Sequence, residues 1–98
     1  MTTPTLIYKT IYKTLNKSFI VLDKKFKIKI EYTNDETSPY NIEVIGIDIK
    51  FERIKRTRNL EEIPEILIEI KKEAEDEVKA MLKIENNIDK LKKYINDI

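Results

Sequence analysis

A heptad repeat running from Leu60 to Ile98 restricts this 98-residue chain more than any other feature of its sequence. Leu60, Leu67, Ala74, Met81, Ile88 and Ile95 form one seven-spaced set, and Ile63, Ile70, Glu77, Ile84, Leu91 and Ile98 form the set three residues further on. Eleven of these twelve are apolar, so the segment encodes a helix whose stripe needs a covering surface along its length. Asn59 and Glu62 have the spacing of a capping box and Pro64 suits a first helical turn, which places the helix start between 59 and 64. Ile66 to Ile70 alone also reads as a short strand. Unbroken from Pro64 to Asp97, the helix would span ~51 Å, about twice the diameter of a compact domain of this size. It must therefore protrude, pair with another chain or break, and the adjacent Asn86 and Asn87 are the expected break.

The stripe changes character along its length. Ile66, Val78 and Ala80 widen its first half, as a helix packed on its own sheet requires. In the second half, Met81, Ile84, Ile88, Leu91 and Ile95 form a narrow seam flanked by Glu85, Asn87 and Lys92, which is the pattern of a coiled coil. That seam is the expected homodimer interface, with packing inside the chain as the alternative. Glu77, polar at a seam position, marks a place where the helix could leave the core.

Upstream, the pattern is that of an α+β domain: a short antiparallel sheet of three to four strands packed by an N-terminal helix and by the long C-terminal one. Residues 4 to 16 read as the N-terminal helix, because Ile7, Ile11 and Leu15 recur every four residues after Pro4; a strand is the alternative, since Ile, Tyr and Thr favour sheet. Ser18 to Leu22 and Lys25 to Thr33 predict a hairpin turning at Asp23-Lys24. Its second strand alternates Phe26, Ile28, Ile30 and Tyr32 with Lys25, Lys27, Lys29 and Glu31. Asn34 to Pro39 is a polar turn, and Asn41 to Ile54 reads as one long strand with a bulge at Gly46, the only glycine, where the apolar phase shifts.

Composition bounds the chemistry. With no cysteine and no histidine, disulfides, thiolate or imidazole metal sites, a cysteine nucleophile and a histidine base are excluded. No nucleophile and base are paired in the sequence, so an enzyme is not expected, nor is a cofactor. Glu69, Glu73 and Asp76 share a helical face, but acids early in a helix ordinarily offset its dipole, and no metal is expected there. No apolar run is long enough for a membrane span and no signal peptide is visible, so a soluble intracellular protein is expected.

Charged residues make up 38% of the chain at a net charge of +1, and the signs are segregated: residues 1–58 hold 12 Lys/Arg against 7 Asp/Glu, and residues 59–98 hold 7 against 11. The three arginines, Arg53, Arg56 and Arg58, cluster with Lys50 and Lys55, and the comb Lys25, Lys27, Lys29 could extend them into a nucleic-acid surface. They could equally pair with Glu61, Glu62 and Glu65 of the acidic half. Five tyrosines, at 8, 12, 32, 40 and 94, could stack on bases but fit a core rim better.

Isoleucine and lysine dominate their classes, at 18 Ile to 7 Leu and 16 Lys to 3 Arg. In this Ile/Lys/Glu/Asn richness the whole chain resembles the small proteins of crenarchaeal filamentous and rod-shaped viruses, and the same composition fits an AT-rich phage or a methanogen. The resemblance transfers no functional residue. What it implies is a role in binding host or viral macromolecules, either a protein or a nucleic acid; the Ile and Lys bias, taken with the Lys/Glu-rich surface, separately fits a hyperthermophile's protein of high thermal stability. The expectation is thus a non-enzymatic interaction module, a homodimer with an unidentified protein partner, with nucleic acid as the alternative ligand.

Overall fold

The computed structural model describes residues 9–98 as a four-stranded antiparallel meander with one long helix across one face. The strands are β1 (Ile11–Val21), β2 (Lys24–Thr33), β3 (Tyr40–Gly46) and β4 (Glu52–Thr57), paired in the order 1-2-3-4. A short 3-10 turn, Leu60–Glu62, leads into the helix α1, Ile63–Asn96.

No helix precedes the sheet among the described residues. Residues 11–16, expected to be helical, are the first half of β1, and the expectation for residues 4–8 lies outside the described residues. The four-residue spacing of Ile11 and Leu15 is real, but Ile11, Tyr12 and Thr14 also carry sheet-favouring side chains, and pairing along the whole of β2, from Ile11 opposite Thr33 to Val21 opposite Lys24, decides between them. A one-residue irregularity at Tyr12 interrupts this register. The β1–β2 turn is Leu22-Asp23, one residue before the expected position. Both residues have positive φ, 48° and 70°, as a two-residue turn that follows the strand twist demands.

The expected long strand is two strands. Gly46 ends β3, and the chain folds back through residues 47–51 with the Gly46 amide donating to the Phe51 carbonyl (2.9 Å). The carbonyl of Ile49 comes so close over Gly46 that a β-carbon there would overlap it, which is why glycine stands at this position. Asp48 ties the loop to β2 by accepting from the Lys25 amide (2.9 Å). The phase shift read beside Gly46 is thus a turn rather than a bulge.

Cross-strand partners share a sheet face. Phe26, Val44 and Ile42 lie on the face that α1 covers, where they meet Ile70, Ala74 and Val78 of the helix, with Val21 and Phe51 closing the core. Phe26 stacks on Phe19 (5.1 Å between ring centroids) and meets Phe51 edge-on (5.4 Å). Glu62 anchors the helix start to the sheet: its carboxylate accepts from the Thr57 hydroxyl (2.7 Å) and from the Asn59 side-chain amide (3.0 Å). The residues of the expected capping box therefore meet, but side chain to side chain, and these bonds hold the Glu62 carboxyl below its usual range.

The helix does not break at Asn86-Asn87; its 34 residues run on as one rod. Leu82 is the last side chain packed on the core, about a turn and a half beyond Glu77, and residues 83–98 are all exposed. The molecule consequently measures 74 × 37 × 17 Å with a radius of gyration of 19.6 Å, against ~13 Å for a compact chain of this length.

Candidate interaction surface

The seam residues divide where the helix leaves the sheet. Met81 is half-buried at the margin of the core. Beyond it Ile84, Ile88, Leu91 and Ile95 are 59%, 44%, 58% and 67% exposed and Ile98 is fully so. Lys83 to Asn96 adds ~21 Å of helix projecting past the sheet. None of the described residues covers this stripe, although every one of its apolar residues falls on the heptad positions that continue from the packed half. Isolated exposed leucines are ordinary on a protein surface, but an aligned row of them is the mark of an interaction face.

The eight basic candidates are not brought together. Val44 pairs with Arg53 and Ile42 with Lys55, so Arg53 and Lys55 emerge on the face that carries the helix. Arg53 is committed there: its Nε donates to Glu73 of α1 at 2.8 Å and its guanidinium lies 4.5 Å from the centroid of the Phe51 ring. The acidic half is its partner as anticipated, but through Glu73 rather than Glu61, Glu62 or Glu65. Lys25, Lys27, Lys29 and Arg56 lie on the opposite, uncovered face, Lys29 within 3.8 Å of Glu43. Lys50 sits in the β3–β4 loop and Arg58 just past β4, both exposed.

One polar array on the uncovered face was not foreseen. Glu31 and Asn41 are directly opposite on β2 and β3, and Asn41 and Arg56 on β3 and β4. The Asn41 amide donates to Glu31 (3.1 Å), Arg56 Nε donates to the Asn41 carbonyl oxygen (3.3 Å), and the Lys9 ammonium lies 3.6 Å from Glu31. The Asn41 bond, followed by the charges of Lys9 and Lys29, lowers the Glu31 carboxyl below its usual 4.5 against the opposing effect of burial. Glu31 closes the lysine comb as the one acid in that alternation, which was the available signal.

Beside this row, the 34–39 loop encloses a recess of about 630 Å³ bordered by Lys9, Thr33, Asn41 and Arg56. The loop is held by Asp35, which accepts from the Thr37 hydroxyl (2.7 Å) and amide (3.0 Å). Those bonds from Thr37 lower the Asp35 carboxyl. Asp35, Lys9 and Arg56 all have partners within the fold. No group of three or more metal-ligating side chains occurs among the described residues, and Glu73, one of the three acids of the candidate face, is taken by Arg53. Three of the five tyrosines form a row, with Tyr12, Tyr32 and Tyr40 ring beside ring across β1, β2 and β3 at 5.5 and 5.3 Å; Tyr94 is exposed on α1, and Tyr8 lies outside the described residues.

No protein-family profile, curated protein or solved structure matches this chain. No helix among the described residues is long and apolar enough to cross a membrane. The geometry is therefore the sole guide to function.

Proposed function

We propose that this protein works by association without catalysing a reaction, as a homodimer formed through Met81, Ile84, Ile88, Leu91 and Ile95, whose sheet domains then engage a macromolecular partner, in the first place a protein. One observation carries the reading: a helix of 34 residues covers its own sheet with its first half only, and its second half keeps the same apolar register with nothing among the described residues to bury it. Coiled-coil seams with Ile and Leu at these positions close on another helix. Non-enzymatic action is supported by the partnered state of Lys9, Asp35 and Arg56 around the 34–39 recess.

Nucleic acid remains the second reading, because Lys25 and Lys27 stand side by side on the open face away from the helix. Its support is thinner than the arginine cluster promised, since Arg53 is engaged by Glu73. Such binding would weaken steeply with salt, whereas a protein partner held by apolar contacts would not.

Light scattering across a concentration series tests the dimer. Ile88→Lys places a charge at the centre of the seam on both copies, and burying it unpaired is expected to weaken association at least ~100-fold, about 3 kcal/mol, while the fold stays intact. An unmodified protein that is monomeric at tens of micromolar would overturn the reading.

A further inference from the structure

The orientation of that dimer follows from residues beside the seam, and the inference rests on the dimer reading. We infer that the stripe is closed by a second copy of this chain running antiparallel, with Glu85 of each copy facing the partner's Lys92.

Three features converge on this arrangement. The first is length. The open seam starts at Met81, at the margin of the core, and ends at Ile98. Reflected about its midpoint, it sets Met81 against the partner's Ile98, Ile84 against the partner's Ile95 and Ile88 against the partner's Leu91. All six apolar positions of each copy then have apolar partners. A slip of one heptad toward the sheets would instead set Ile98 against the partner's Ala74, which is already buried in its own core.

The second feature is charge. Glu85 and Lys92 each follow a seam residue, Ile84 and Leu91, and so lie on the same flank of the stripe; Asn87 and Tyr94 precede Ile88 and Ile95 on the other flank. Antiparallel packing brings like flanks together. Glu85 then faces the partner's Lys92 twice, and Asn87 faces the partner's Tyr94 twice. Parallel packing brings opposite flanks together, so that Ala80 would neighbour the partner's Glu85 and Asn87 the partner's Lys92, with no ion pair in either place. Neither Glu85 nor Lys92 is in any of the four ion pairs found among the described residues.

The third feature is side-chain shape. In a parallel pair, Ile84 and Ile98 would fall at the positions where two-stranded coils prefer leucine, and isoleucine there shifts preference to higher oligomers. Antiparallel layers mix the two sets, pairing Ile88 with the partner's Leu91 and removing that conflict.

Because the chain has no cysteine, introduced thiols report orientation directly. In the antiparallel dimer position 95 is opposite the partner's 84, and the two copies of residue 95 are ~16 Å apart along the axis, beyond the ~7 Å that a disulfide spans. An equimolar mixture of Ile84→Cys and Ile95→Cys proteins should therefore cross-link between the two variants and not within either. A second pair of variants reads the charges. Glu85→Lys and Lys92→Glu should each weaken self-association, and mixing them should restore a dimer containing one of each, favoured by about tenfold over either alone. Cross-linking of Ile95→Cys to itself, or charge variants that self-associate as well as the unmodified chain, would overturn the orientation while leaving the dimer. A monomer in light scattering would remove both.

Discussion

Ending the chain at Lys83 should separate the two jobs of α1. The deletion removes Ile84 to Ile98, every residue of which is exposed, and spares Leu82, the last one packed against the sheet. Since no apolar surface buried within the chain is lost, and a solvated helix end of this length is only marginally stable alone, the monomer's unfolding free energy should change by less than ~1 kcal/mol. The association should vanish completely. For a dissociation constant near 1 µM, raising the full-length chain from ~1 to ~100 µM should stabilise it by on the order of 1–2 kcal/mol through mass action. At ~4–8 °C per kcal/mol for a domain of this size, its melting midpoint should climb by roughly 5–15 °C across that range. The shortened chain should melt at one temperature throughout, matching the full-length protein at its most dilute. Circular dichroism melts of both chains over that range, read together with light scattering, measure each quantity. A full-length midpoint independent of concentration would refute the association. A shortened chain less stable by more than ~2 kcal/mol at high dilution would show that the projecting helix supports its own sheet, contrary to its exposure.

Two further outcomes follow from the sheet domain. Gly46→Ala should cost ~2–4 kcal/mol in urea unfolding, because its β-carbon collides with the Ile49 backbone carbonyl, which cannot swing aside as the nearby Ile49 side chain can; a loss below ~0.5 kcal/mol would mean that the 47–51 loop gives way freely. Stability should fall in acid: the carboxyls of Glu31, Asp35 and Glu62 are all lowered in the folded chain, so the unfolded chain binds more protons once pH drops below about 4.5, and the contribution present at neutral pH drains away as pH falls through the lowered values. Urea midpoints at pH 7 and about pH 3 test this, with Glu31→Gln expected to flatten part of the slope, and equal midpoints at both pH values would contradict the hydrogen bonds assigned to these groups.

How much of this was legible depended on how local the deciding forces are. The helix was, because its repeat is carried by consecutive residues, and Ile70, Ala74 and Val78 fall on or beside the stripe that the sheet buries. It continues through Asn86-Asn87 because two weak helix formers cost only a few tenths to ~0.7 kcal/mol each relative to alanine, too little to stop a helix of 34 residues. The β1 segment was misread for the opposite reason. Ile11, Tyr12 and Leu15 satisfy both a helical and an extended pattern, and the choice is made by β2, up to 22 residues away along the chain.

The arginines show how one boundary error propagates into function. With the strand ended at Ile54, Arg53, Arg56 and Arg58 looked like a single cluster; with β4 running to Thr57, the odd spacing of Arg53 and Arg56 sends them to opposite faces of the sheet. Arg53 then meets Glu73, and Arg56 joins Asn41 and Glu31. The same geometry accounts for the segregated charge. A basic sheet and an acidic helix lie against each other within one chain, and the Arg53–Glu73 pair crosses that boundary. The asymmetry therefore needs no oppositely charged partner to explain it, whereas the apolar stripe from Ile84 to Ile98 finds no counterpart among the described residues, and on the proposed reading a second copy supplies it.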